Sequence, residues 1–396
     1  MTKLPLGFRL AGVPCGIKQD AAKEDLTLIV TDRPSVAAAV YTQNLIVAAP
    51  VELDRQRTPS AEIRVVVVNS GNANACTGDR GRRDAEEMGR LAAQACGAES
   101  RQSLVMSTGV IGHFLPMEKI TRGIQLAAAR LEGDEAAWLS AARGITTTDR
   151  SHKTSWRSLP VDGREVRIAG MAKGAGMIGP RMATLLGIIM TDARLTPALA
   201  QQALVAAVDR SFNCISVEGH TSTNDTVLLI ATGAAQDAEL DAAALRQFQE
   251  GLDEVCIELA RMIPDDGEGA THLITIDVRG CANRSDAHCI AQAVANSALV
   301  KAGVAGADPN WGRVVSAAGY AGVPFNPREL SLSINGTPVF QQGAPVAFDN
   351  RALSQCMRER RETHLELVLQ SGSASVRFWT SDLTVDYVRF NSQYTT

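Results

Sequence analysis

The sequence predicts a layered α+β fold of the broad α/β class. Three observations predict it. Hairpin signals stand at Asp162-Gly163 and Asn335-Gly336, several helical stretches lie between strand-like runs, and the two kinds of element do not alternate regularly. The missing βαβ alternation argues against a doubly wound parallel sheet.

Taken in order, residues 63–68 form a short buried strand. Residues 84–96 have a helical pattern that stops at Gly97, a residue suited to the position after a helix. The apolar Leu104-Val-Met106 runs into the polar Ser107-Thr-Gly-Val-Ile-Gly112, which reads by default as a strand-to-helix turn. Residues 157–161 and 164–168 flank Asp162-Gly163 as a hairpin, and 185–190 are an apolar strand. Thr196-Pro197 reads as N-cap and first residue of a helix reaching about Arg210. Residues 240–262 and 286–302 are further helices. Strand 330–334 meets the Asn335-Gly336 turn, and strands 364–369 and 374–379 flank Ser371-Gly372. The turn-like Arg279-Gly-Cys-Ala-Asn283 suggests a boundary, with a core of residues 1–280 and a smaller C-terminal α+β domain of residues 281–396.

At 396 residues, with 45% hydrophobic and 21% charged residues, the composition is globular and exceeds one small core. The net charge of −4 carries no polyanion-binding signature, so no nucleic-acid partner is expected. The opening Met1-Thr-Lys-Leu-Pro-Leu-Gly has no signal-peptide core, and no apolar stretch approaches the roughly 18 residues that span a bilayer. A cytoplasmic protein without a membrane partner is expected. Eight cysteines without a C-x-x-C pair read as free thiols, and the six histidines have no ligand spacing, so no metal is expected.

The segment Lys173-Gly-Ala-Gly-Met-Ile-Gly-Pro-Arg-Met-Ala-Thr184 ends on a small residue followed by a threonine. A cut before Thr184 would put a hydroxyl and a free α-amine on one residue. That pair is a nucleophile with its own base, because an α-amine titrates at about 7.7–8.0. The small Ala183 leaves room for the hydroxyl to attack its carbonyl. Gly174-Ala-Gly-Met-Ile-Gly179 also matches a dinucleotide fingerprint, but Pro180 and a strand-like run stand where that motif needs a helix.

Other polar segments have a structural reading beside a functional one. In Ser107-Thr108-Gly109, a threonine hydroxyl next to backbone N–H groups suits an oxyanion. Asn69-Ser-Gly-Asn-Ala-Asn-Ala-Cys-Thr-Gly78 reads first as a structural loop, Thr146-Thr-Thr-Asp149 as a turn or cap, and Asp308-Pro-Asn-Trp-Gly-Arg313 as a rigid turn. Glu268, between two glycines, would by default face solvent, but an amine or cationic substrate would want such a carboxylate. The tail Tyr387-Val-Arg-Phe-Asn-Ser-Gln-Tyr-Thr-Thr396 is too aromatic and apolar for a frayed end.

These motifs, in this order, resemble the ornithine acetyltransferase (glutamate N-acetyltransferase) family of arginine biosynthesis. The likeness runs from Gly7-Phe-Arg-Leu-Ala-Gly-Val13 to Thr396. It implies a layered α/β fold related to self-processing aminopeptidases and self-cleavage between Ala183 and Thr184. The products are an α chain, 1–183, and a β chain, 184–396, assembling as two of each. It also implies transfer of acetyl from N2-acetylornithine to glutamate through an acetyl-threonine on Thr184, with Thr108 and Gly109 as the oxyanion hole. Thr147, Lys173, Thr184, Glu268, Asn391 and Thr396 are the implied substrate contacts. No cofactor is implied, and acetyl-CoA is a candidate co-substrate. Arg150 departs from the family's Thr-Thr-Asp-Thr pattern, which puts substrate contacts near it in question. The alternatives are a self-processed aminopeptidase or amidohydrolase, an intact binding protein, and a secondary-pathway paralogue with the same chemistry.

Overall fold

The computed structural model describes residues 3–161, 163–179 and 185–393. Asp162, Ala183, Thr184 and Thr396 lie outside the described residues. Two sheets are built from strands β1 (Phe8–Val13), β2 (Leu26–Tyr41), β3 (Ser60–Asn72), β4 (Ser103–Val110), β5 (Lys153–Val161), β6 (Arg164–Lys173), β7 (Leu186–Thr191), β8 (Ile215–Ser216) and β9 (Thr226–Ala231). They continue with β10 (Leu273–Cys281), β11 (Ser331–Ile334), β12 (Thr337–Gln341), β13 (Ala344–Pro345), β14 (Glu362–Val368) and β15 (Ala374–Ser381). The first sheet has the order β4-β3-β2-β9-β7-β6-β5, with β1 on β2. The second has the order β13-β12-β11-β14-β10-β15-β8. Both mix parallel and antiparallel pairs, so the chain is a layered mixed α/β protein and not doubly wound.

Helices α1 (Ala49–Arg55), α2 (Gly78–Ala95), α3 (Met117–Ala128), α4 (Glu135–Gly144), α5 (Pro197–Arg210) and α6 (Ala242–Asp265) come before the second sheet's main strands. Then come α7 (Arg284–Ala295), α8 (Ala298–Ala305), α9 (Trp311–Gly319), α10 (Asn350–Glu359) and α11 (Val385–Gln393). The first sheet is buried on both faces. Along β9, Val227, Leu229 and Ala231 join one apolar cluster, while Leu228 and Ile230 join another. Along β3, Val66 and Val68 face the cluster that holds Trp138 of α4, and Val65 and Val67 face α2 and α3. The period of two thus explains an uninterrupted valine run. Helices α5 and α6 lie between the sheets, in one apolar cluster with Ile189 of β7 and with Ile276 and Phe378 of β10 and β15. Cys281, where the sequence reading begins its C-terminal domain, is the last residue of β10.

Local signals translate directly where they are strong. Thr196 accepts from Leu199 N–H and caps α5, with Pro197 as its first residue. Asn335 and Gly336 both have positive φ, as a two-residue hairpin turn requires. Val161 pairs with Arg164 across the other hairpin.

Three expectations are corrected. The helix read from residue 84 begins at Gly78. The helix read over 286–302 is two, because Ser297 accepts from Val300 N–H and starts α8 afresh. Thr108 and Gly109 lie in β4, paired with Ser70 and Gly71 of β3, and not in a strand-to-helix turn. The strands read on either side of Ser371-Gly372 are β14 and β15, and β10 lies between them, parallel to β14 and antiparallel to β15.

Phe248 of α6 is fully buried between the layers. Phe248→Ala should cost about 3–5 kcal/mol in denaturant unfolding, and a loss below about 1 kcal/mol would contradict this packing.

Candidate active site

A pocket lies where strand ends and loops meet the C-terminal helix. Thr108, Gly109, Thr147, Lys173, Glu268 and Asn391 line it together. Of the candidate site residues, Ala183, Thr184 and Thr396 are unplaced, because they fall outside the described residues. The chain resumes at the buried Leu185, whose N–H donates to Asp225 Oδ1 at 3.1 Å.

β4 delivers Thr108 and Gly109. Behind them, Ser107 Oγ donates to Asn69 Oδ1 (2.6 Å), and Asn69 Nδ2 donates to the Asn72 carbonyl (2.8 Å). Asn72 reaches the His113 and Phe114 carbonyls in turn. The 69–78 segment is therefore chiefly scaffold, with Ala73 on the pocket wall. Lys173 ends β6, and its Nζ donates to Thr108 Oγ1 at 3.3 Å. Burial pulls the Lys173 ammonium below its ordinary range, and the nearby Asp149 carboxylate pulls it back up.

A buried ion triad sets the remaining wall. Lys153 Nζ donates to Asp149 Oδ1 (2.6 Å) and Asp266 Oδ2 (2.7 Å). Asp149 also accepts from Thr147 N–H (3.0 Å) and Gly174 N–H (2.7 Å). Burial alone would raise the Asp149 carboxyl. The Lys153 and Lys173 cations and the Gly174 N–H outweigh it and hold that group well below the usual carboxylate range. The triad thus joins the 146–150 turn, the end of β6 and the loop that carries Glu268.

Glu268 is not left to solvent. Thr148 Oγ1 donates to Oε1 (2.7 Å) and Asn391 Nδ2 to Oε2 (3.1 Å), so the carboxylate is held at both oxygens. Its neighbours explain two glycines. A Cβ on Gly176 would stand 2.4 Å from Glu268 Oε2. Gly269 has φ +70°, and its Cβ would stand 2.3 Å from Tyr387 N, so only glycine lets α11 dock there. Thr384 Oγ1 donates to the Gly269 carbonyl (2.7 Å), and α11 then carries Asn391 to the pocket. Arg150, the departure from the family pattern, braces the same loop: its N–H donates to Asp266 Oδ2 and its guanidinium to the Gly267 and Ala270 carbonyls.

Sequence reasoning missed Thr148 and the Ser222-Thr223-Asn224 wall. A signal existed for the latter: a polar run stands directly before the buried strand β9, as Ser107-Thr-Gly stands directly after the apolar Leu104-Val-Met106. Among the described residues, no cluster of His, Cys, Asp and Glu is arranged to hold a metal ion, and no helix is long and apolar enough to cross a membrane.

A model of the ArgJ family matches residues 9–396. The arginine biosynthesis bifunctional protein ArgJ of Rhodopirellula baltica is 50% identical over 396 residues, covering 99% of this chain and 96% of that protein. Its counterpart in Symbiobacterium thermophilum is 47% identical over 395 residues, covering 99% and 98%. A solved chain of the arginine biosynthesis bifunctional protein from Bacillus halodurans is 36% identical with a TM-score of 0.51. It covers 52% of this chain and 98% of its own length.

Removing one partner of a buried ion group strands the others. Lys153→Met should cost about 3–5 kcal/mol in denaturant unfolding. Unchanged stability would mean that the triad is not what joins these loops.

Proposed function

The chain belongs to the ArgJ family, and from that premise we propose that it transfers an acetyl group from N2-acetylornithine to glutamate, acting as a glutamate N-acetyltransferase. The observation that carries this reading is the single pocket. Six residues spread from 108 to 391, each assigned to catalysis or substrate contact by the family likeness, converge on it. Described residues on either side of the 180–184 segment lie at this pocket or beside one of its wall residues. Met177 lines the pocket on one side, and on the other Leu185 is bonded to Asp225, next to the wall residue Asn224.

The reaction begins with a cut between Ala183 and Thr184, giving chains 1–183 and 184–396. The solved Bacillus halodurans chain supports this, because nearly its whole length matches about half of this one. Thr184 Oγ then attacks the acetyl carbonyl of N2-acetylornithine while the Thr184 α-amine takes the hydroxyl proton. Thr108 and the Gly109 N–H stabilise the oxyanion. The C–N bond breaks, the proton passes to the departing ornithine nitrogen, and acetyl stays on Thr184. The α-amine of glutamate attacks that ester, the bond between the acetyl carbon and Thr184 Oγ breaks, the proton lost by the amine passes through the Thr184 α-amine to Oγ, and N-acetylglutamate leaves. Lys173 offers a cation to a substrate carboxylate, and Glu268 offers a carboxylate to an ammonium group, with Thr147, Asn391 and Thr396 completing the contacts. Two copies of each chain in a cytoplasmic heterotetramer, and acetyl-CoA as a second donor, belong to the same proposal.

Two outcomes test it. Intact-mass analysis should find two chains, the second beginning at Thr184, and Thr184→Ala should remain whole and inactive. A protein that stays whole yet transfers acetyl would overturn the mechanism. Thr108→Ala should lower kcat by on the order of 10²–10³, roughly 2.7–4 kcal/mol, with a smaller effect on KM for N2-acetylornithine. A change confined to KM would make Thr108 a substrate contact only. The assay offers N2-acetylornithine, acetyl-CoA and glutamate in combination, and N-acetylglutamate is measured by chromatography.

A further inference from the structure

Asn224 stands on the pocket wall, yet its amide group is spent inside the protein. Its Nδ2 donates to the Ala73 carbonyl at 2.7 Å and to the Ser107 carbonyl at 2.9 Å. Its Oδ1 accepts from the Thr223 hydroxyl at 2.6 Å, and its backbone N–H donates to Ser222 Oγ at 3.1 Å. A carbonyl can only accept, so the two carbonyls fix which end of the amide faces them. Both amide hydrogens are therefore used, and none is left for a substrate.

The two carbonyls are placed at the oxyanion donors. Ser107 directly precedes Thr108, and its carbonyl belongs to the same peptide unit as the Thr108 nitrogen. Ala73 follows the end of β3, and its N–H donates to the Val110 carbonyl at 2.9 Å. Between these points the two strands are crowded: Gly109 has φ +133°, and a Cβ there would stand 2.3 Å from the Gly71 carbonyl carbon. One amide thus grips the end of β3 and the last residue before Thr108 on β4. Asn69 holds Ser107 from its side chain, and Asn224 holds it from its backbone.

We infer that Asn224 is the positioning residue of the oxyanion hole, setting Thr108 and Gly109 through the Ser107 and Ala73 carbonyls. The inference rests on the proposed reaction and deepens it. In that reading Ala73, Thr108 and Gly109 belong to the chain 1–183 and Asn224 to the chain 184–396. Asn224 leads into β9, which pairs with β7, the first strand of the second chain, from Leu186↔Thr226 onward. The amide therefore fixes the donors of one chain against a strand pair of the other. Acyl transfer needs this, because a small misplacement of the reacting groups loses rate steeply.

The test is a double-variant cycle with Thr108. Asn224→Asp keeps the size of the side chain and the acceptor for the Thr223 hydroxyl, but it sets an oxygen against the two carbonyls. The variant should fold and keep KM for N2-acetylornithine within a few-fold, while kcat falls on the order of 100-fold. In a Thr108→Ala background the same substitution should cost no more than about 10-fold, because one donor that it misplaces is already gone. A strut that only supports the fold would cost the same factor in both backgrounds, and a substrate contact would raise KM. Either result, or full kcat in Asn224→Asp, overturns the inference. Should the variant fail to fold, crystal structures of the wild-type enzyme, free and with ornithine, decide. The inference requires both carbonyl bonds in each, and an Asn224 amide turned to the ligand overturns it. Wild-type protein that transfers no acetyl overturns this inference together with the proposed reaction. An active wild type with equal losses in the two backgrounds overturns this inference alone.

Discussion

The site depends on the buried Asp149–Lys153–Asp266 triad. Three segments far apart in sequence meet there: the 146–150 turn, the end of β6 at Gly174, and the loop that follows α6. Each contributes a pocket residue within two positions of its triad contact, namely Thr147, Lys173 and Glu268. One ammonium group between two carboxylates therefore sets the spacing of three functional groups. A paired buried charge is costly to break and gains little net stability over an apolar core. What it supplies here is fixed geometry, which acyl transfer needs because misplaced reacting groups lose rate steeply.

The pocket also shows how the two halves of the fold divide the work. Strands β4 and β6 of the first sheet present Thr108 and Lys173 on rigid backbone. The second sheet, through β15 and the helix after it, returns the chain end to Glu268 by way of Gly269, Thr384 and Asn391. Glu268 is consequently braced at both oxygens by neutral donors, which keep it in place without cancelling its charge. Arg150 adds a brace to the same loop where the family pattern has threonine, so the departure at this position touches the loop's anchoring.

Elements with local chemistry were legible in the sequence. The Thr196 cap, the Asn335-Gly336 turn and the alternation around Asp162-Gly163 each depend on a few adjacent residues. The order β14-β10-β15 was not legible, because it depends on pairings between strands about a hundred residues apart. The site divides in the same way. Motif residues such as Thr108 and Glu268 could be named from the sequence, and they share the pocket. The groups that hold them, Lys153 with Asp266 and Thr148 with Glu268, are paired across more than a hundred residues and look like ordinary polar residues in the sequence.

The central claim is that Thr184 carries the acetyl group between the two substrates. Mass spectrometry of the chain beginning at Thr184 tests it most directly. Purified protein is mixed with N2-acetylornithine alone, and then with glutamate. The account predicts that this chain gains the mass of one acetyl group, located on Thr184, releases ornithine, and loses that mass as N-acetylglutamate forms. Transfer without any acetylated chain, or an acetyl group placed on another residue, would contradict it.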